Sequence, residues 1–216
     1  MSEALLSLLL ADLAKQATEI GGPTDRMVPR YLALGQEKAN WCWAAVGSEV
    51  YNFHVRPSPP ISQANFASRF GETIGNVAQD VERVFETLES EGQVPRHERV
   101  EGAKLLDHET VWSLLETAIL VKKMPVPIGV AWEGGSIGHM VCVLGLSSVD
   151  GEDAVIVYDP SETDAFPKNL RRIKFKSPKY SNFYRGSPET SIASAETPNN
   201  DDLERFDGYL TIAFVP

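Results

Sequence analysis

Cysteine is scarce: the chain has two, Cys42 and Cys142, in 216 residues. Two cannot build a disulfide framework or a cysteine-only zinc site. Basic residues are outnumbered, with 20 Lys and Arg against 30 Asp and Glu, for a formal net charge of −10. A surface of that sign repels phosphate backbones and anionic lipid, so no nucleic acid and no membrane surface is expected as a partner. No segment reaches the ~18 consecutive apolar residues of a membrane span. The early apolar stretch in MSEALLSLLLADLAK lacks a basic segment before it and is bracketed by Glu3 and Asp12. It reads as an amphipathic helix, not as a cleaved signal. The chain is therefore expected in the cytoplasm, or secreted by a route without a cleaved signal peptide. No internal repeat is present.

What is there is globular composition: 43% hydrophobic and 23% charged residues, at a length that suits one domain over residues 1–216. Leu5, Leu8, Leu9, Leu13 and Ala17 give a helical period over about residues 1–20, stopped by Gly21, Gly22 and Pro23. A helix is predicted from Asn40, as its N-cap, to Phe53, with Cys42, Val46, Val50 and Phe53 in one stripe. Its small residues Ala44, Ala45, Gly47 and Ser48 suit close packing on all sides. Further helices are predicted over Ser62–Phe70, Asn76–Ser90 and about Asp107–Lys123. The pattern then changes to strands, at Pro125–Trp132, Met140–Leu146, Ala154–Tyr158, Leu170–Phe175 and Tyr209–Val215. Helices followed by an antiparallel sheet make an α+β fold. The polar run at about residues 186–202 reads as a mobile surface loop.

Cys42 falls at the start of a predicted helix, where the dipole and free N–H groups favour a thiolate. His139 opens the apolar strand MVCVLGL behind the glycine-rich Gly134–Gly138, a segment expected to border a cleft and move. Asp159 ends the strand AVIVYDP. A hairpin loop of about residues 147–151 would pair His139 directly with Asp159 on one sheet face. A tighter turn at Asp150–Asp153 would pair Asp159 with Leu144, on the opposite face. A Cys-His-Asp triad needs the first register, or a bulge. Cys142, three residues beyond His139, is expected on the other face as packing. Gln36, six residues before Cys42, offers a side-chain amide that could join the Cys42 backbone N–H in an oxyanion hole. Of Trp41 and Trp43, one is expected to line the cleft and one to anchor the helix.

The run Gln36-Glu37-Lys38-Ala39-Asn40-Trp41-Cys42-Trp43-Ala44-Ala45 resembles the papain-like cysteine peptidases. The likeness is greatest to a bacterial branch that includes the double-glycine leader peptidases and plant-pathogen effector cysteine proteases. Gly138-His139-Met140-Val141-Cys142-Val143-Leu144-Gly145 and Val157-Tyr158-Asp159-Pro160 match that pattern in order and character, so the likeness covers about residues 36–160. It implies a papain-like fold, with Cys42 on a central helix packed on a mostly antiparallel sheet. It implies Cys42 as nucleophile, His139 as general base, Asp159 as its orienting group and Gln36 as oxyanion donor. The expected substrate is a protein or peptide, with no cofactor and no metal. The same triad also serves transglutaminases, deamidases and amidases, and an inactive scaffold could bind peptides through the same groove. The N-terminal helix lies outside the likeness and is the surface left for a partner protein.

Overall fold

A computed structural model describes residues 25–71, 81–96, 98–100, 108–131, 138–149, 151–161, 170–175 and 209–214. The expected N-terminal helix at residues 1–20, the expected helical start at 76–80, the segment 134–137 and the loop at 186–202 lie outside the described residues.

In chain order the elements are strand β1 (Arg26–Met27), helices α1 (Cys42–Val55), α2 (Gln63–Ser68) and α3 (Val81–Ser90), strand β2 (Glu98–Val100) and helix α4 (His108–Glu116). A π-helical turn, Thr117–Val121, extends α4. Then come strands β3 (Val126–Ala131), β4 (Gly138–Val149), β5 (Glu152–Tyr158), β6 (Leu170–Lys174) and β7 (Tyr209–Phe214). The described strands make one sheet in the order β2-β7-β3-β4-β5-β6, with β1 added to β4, and every pair is antiparallel. This is the α+β architecture the sequence predicts. Two strands had no periodic signal, because β1 and β2 have only two and three residues.

The sheet has helices on both faces. On one face Val111, Leu115 and Ile119 of α4 and its π turn pack with Val126, Ile128, Val141, Val143, Leu146, Val155 and Val157. On the other, α1 and its neighbours pack Trp43, Val46, Val50, Phe66, Val84 and Leu88 against Met140, Cys142, Leu144 and Tyr158. Each such apolar side chain contributes about 1.5–3 kcal/mol on burial.

Helix α1 is enclosed along its first nine residues, Cys42 to Val50, all of them buried. Its small residues make this possible. At Gly47 a β-carbon would come within 2.6 Å of the Phe66 ring of α2, so the glycine is what lets the two helices touch. The helix of the nucleophile candidate is therefore the centre of the core, not a surface element.

Candidate active site

Helix α1 starts at Cys42, and the residue before it is Trp41, which makes no side-chain cap. Asn40 therefore does not serve as the expected N-cap. The backbone N–H groups of the first turn, that of Cys42 included, have no intrahelical acceptor, and the positive end of the helix dipole lies at this residue. Cys42 itself is 9% exposed. Trp41 and Trp43 are each 1% exposed, so neither ring lines a cleft: both anchor the helix start in the core. The Lys38 ammonium lies 3.9 Å from the centre of the Trp41 ring, capping this corner with a cation–π contact.

The β4–β5 hairpin sets where His139 and Asp159 stand relative to one another. Near the turn the register is Val149↔Glu152 through Gly145↔Ile156. Continued without interruption, it would set Asp159 opposite Cys142, on the face away from His139. A bulge between Val143 and Gly145 shifts the pairing by one residue, to Val143↔Val157 and Cys142↔Tyr158. The next position, Asp159, then faces Val141, which shares its side of the strand with His139. Neither of the two expected registers occurs; the bulge does the work of the first. Burial shows the same break: the α4-side residues of β4 run Val141, Val143, then Leu146. The carbonyl of the extra residue, Leu144, accepts from the Val28 N–H at 2.7 Å. Beside it, Gly145 leaves room for β1, since a β-carbon there would lie 2.9 Å from the Arg26 carbonyl.

With this register His139 Nε2 and Asp159 Oδ1 are 2.9 Å apart, the two side chains being 12% and 2% exposed. The Cys42 side chain lies near enough to the same imidazole to help hold its proton. Because Nε2 is engaged with Asp159, Nδ1 is the ring nitrogen left for the sulfur. Burial on its own would lower the His139 pKa. The Asp159 charge and hydrogen bond, helped by Cys42, overcome it and raise the pKa to about 10. Burial likewise would raise the Asp159 pKa, but the His139 charge and the hydrogen bonds from His139 and Ser161 hold it at about 2. The two groups therefore form a buried ion pair at neutral pH.

Ser161 escaped the sequence reading. Its backbone N–H and its hydroxyl both donate to Asp159 Oδ1, at 2.9 and 2.7 Å, so that one oxygen takes three hydrogen bonds. Asp-Pro-Ser is the signal that could have revealed it, since Asp carboxylates commonly bond the backbone two residues on.

Gln36 stands in the loop before α1, its backbone N–H bonded to the Pro160 carbonyl at 2.8 Å. The loop is thus tied to the strand end that carries Asp159. The Gln36 amide donates to the Lys38 and Ala39 carbonyls at 3.0 and 2.7 Å, while its Oε1 is buried without a partner. Both amide hydrogens thus turn into the loop.

Cys142 is fully buried among the residues packed on α1, and burial pushes its thiol pKa far up. Both cysteines are free. His54 sits near the other end of α1, its pKa lowered to about 4 by burial and by the Arg56 charge. His108 opens α4, and His97 lies outside the described residues. Among the described residues no group of three or more His, Cys, Asp or Glu is placed to hold a metal ion, and no helix is long and apolar enough to cross a membrane.

A search of curated proteins finds no match to the chain. A family model described as the papain-like cysteine protease AvrRpt2 does match, over residues 25–172. That stretch is more than half of the sequence and takes in Gln36, Cys42, His139 and Asp159 together. The chain belongs to the papain-like cysteine proteases, in the family of AvrRpt2.

Proposed function

We propose that the protein hydrolyses a peptide bond in a protein substrate through Cys42, His139 and Asp159, with the Cys42 backbone N–H and the Gln36 amide receiving the oxyanion. The observation that carries this reading is the double engagement of one imidazole. That ring stands between a buried carboxylate, 2.9 Å from its Nε2, and the Cys42 side chain, and both help to hold its proton.

The steps follow from that arrangement. The ring holds its proton at neutral pH, beside the sulfur that must act as the nucleophile. The Cys42 sulfur attacks the substrate carbonyl, and its C=O electron pair moves onto oxygen. That oxyanion lies where the N-terminus of α1 offers the Cys42 N–H, with the helix dipole behind it. Gln36 adds a second donor by exchanging one of its loop carbonyls for the substrate oxygen. His139 then gives its proton to the departing amine as the C–N bond breaks. The neutral ring takes a proton from water, which attacks the thioester and releases the acid, restoring the free sulfur. Asp159 keeps the ring oriented and charged throughout. No step calls for a metal or an organic cofactor.

The test is cleavage mapping of a proteome incubated with wild type or with Cys42→Ala. The expected result is a set of new peptide termini present only with wild type. A deamidation mass shift or cross-links in place of new termini would move the assignment to an acyl-transfer enzyme with the same triad. Equal labelling of Cys42 by iodoacetamide in folded and denatured protein, with no product of any kind, would leave a peptide-binding scaffold.

A further inference from the structure

The Gln36 amide is turned to the Lys38 and Ala39 carbonyls. To reach an oxyanion the side chain has to rotate, so its backbone has to stay in place while it does. Contacts from two sides hold that backbone. On the side of β5, the Gln36 N–H donates to the Pro160 carbonyl at 2.8 Å, and the Tyr158 hydroxyl donates to the Leu34 carbonyl. On the other side stands Gln63, the first residue of α2. Its Nε2 donates to the Gly35 carbonyl at 2.9 Å, and its Oε1 accepts from the Glu37 N–H at 2.9 Å. Those two groups belong to the peptide units immediately before and after Gln36. One side-chain amide thus clamps both, while Pro160 takes the N–H between them.

A primary amide carries a donor and an acceptor in one plane, which is what such a pair needs, and an apolar side chain could supply neither. Gln63 is 4% exposed, so it acts on the loop and not on a substrate. The clamp is itself referenced to the helix of Cys42. Asn52 of α1 donates to the Ile61 carbonyl at 3.0 Å and accepts from the Ile61 N–H at 2.8 Å, which fixes the chain two residues before Gln63. Phe66, three residues after Gln63, packs against Gly47 of the same helix. Both oxyanion donors therefore take their place from α1: the Cys42 N–H directly, and Gln36 through Asn52, Ile61 and Gln63.

We propose that Gln63 is a positioning residue for the oxyanion hole, holding the Gln36 backbone in register with the Cys42 N–H so that rotation of the Gln36 side chain alone completes the hole. This rests on the reading of Cys42 and Gln36 given above. Without the clamp the loop keeps its ties to β5, but the two donors lose their common frame, and a misplacement on the order of 1 Å is enough to cost about 10²-fold in rate. The loss is confined to steps that place negative charge on a carbonyl oxygen. A reaction of the sulfur that builds no oxyanion is untouched.

Two reagents separate these cases on one sulfur of the full chain. para-Nitrophenyl acetate transfers its acetyl group to Cys42 Sγ through a tetrahedral oxyanion and releases para-nitrophenolate. Iodoacetamide alkylates the same sulfur by displacing iodide, with no oxyanion. Each rate is taken after subtracting that of the matching protein with Cys42→Ala. Gln63→Ala should be acylated about 10–10²-fold more slowly than wild type, with its iodoacetamide rate unchanged. Gln63→Glu has the same size but no donor for the Gly35 carbonyl when ionised; it should be slowed in the same way, and it serves where the alanine variant does not fold. Gln36→Ala should be slowed about 10²–10³-fold. Adding Gln63→Ala to it should cost nothing more, because the clamp acts only through Gln36. A purely structural Gln63 would change both reagents' rates together, or lower Tm and leave both rates alone. Either result, or an additive loss in the double variant, would overturn the proposal. Wild type acylated no faster than Cys42→Ala would instead overturn the catalytic reading beneath it, and the role of Gln63 with it.

Discussion

Replacing Asp159 by asparagine removes one negative charge and almost no volume. The carboxylate is the main influence that raises the His139 pKa to about 10 against burial, with Cys42 adding less. Without it, burial prevails, and the ring should titrate at or below the ordinary histidine value of 6.5. The drop is therefore at least about three pH units, or roughly 4–5 kcal/mol between the two protonation states of the ring. The sign of the stability effect follows by linkage. His139 is held up, so its contribution is complete below 6.5 and is lost as pH rises through about 10. Asp159 is held down, so its contribution is complete above 3.8 and is lost as pH falls through about 2. Wild type should thus exceed Asp159→Asn in stability most between about pH 4 and 6.5, with the gap closing above about 10. NMR titration of the His139 ring reads the pKa directly, and denaturant unfolding at several pH values reads the gap. In activity, the alkaline limb of the pH–rate profile should move down to near neutral, with a smaller loss than Cys42→Ala causes. A ring that still titrates near 10 in Asp159→Asn would refute the reasoning, because some other group would then be holding its charge.

Three further outcomes follow from the geometry. Ser161→Ala removes the 2.7 Å hydroxyl bond to Asp159 but leaves the backbone bond, so it should cost about 1.5 kcal/mol and move the acid limb of activity up in pH; an unchanged acid limb would show the hydroxyl to be idle. Gln36→Ala should lower kcat by about 10²–10³ with little change in KM if its amide receives the oxyanion, whereas a drop in thermal stability alone would confine it to holding the Lys38–Ala39 turn. Gly47→Ala forces a methyl group into the buried Phe66 ring, an overpacking worth about 1–3 kcal/mol, and calorimetry should show Tm lower by several degrees, with no change counting against the close packing of α1 on α2.

Much of the site could be read from the residue string because local signals carried it. Cys-Trp-Ala-Ala sits where a helix of small residues begins, and His139 and Asp159 sit at the two strand ends farthest from the turn of one hairpin. What the string concealed was non-local. Asn40 has the chemistry of an N-cap, yet the chain turns so that Trp41 occupies that position without capping. The burial of both tryptophans follows from how α1 sinks into the core, which periodicity alone does not express. Leu144 looks like any residue in an apolar run, yet it is left out of the β5 ladder and its carbonyl accepts from Val28, just beyond β1. Arg30 and Arg56 carry no sequence mark of left-handed backbone.

The bulge has a consequence for the arithmetic of hairpins. His139 and Asp159 are twenty positions apart, an even number. A two-residue turn such as the one closing at Val149↔Glu152 pairs residues whose separation is odd, so an even-spaced pair always lands on opposite sides of the ribbon. One residue inserted within either strand reverses that relation, and a second restores it. A residue inserted in the loop does not: while Val149 still pairs with Glu152, His139 stays ten positions and Asp159 seven positions from the closing pair. The bulge is therefore what sets the side that Asp159 takes. Loop grafts that keep the Val149↔Glu152 pair should be tolerated at odd and even lengths alike, whereas deleting Leu144 should turn the aspartate away from the histidine.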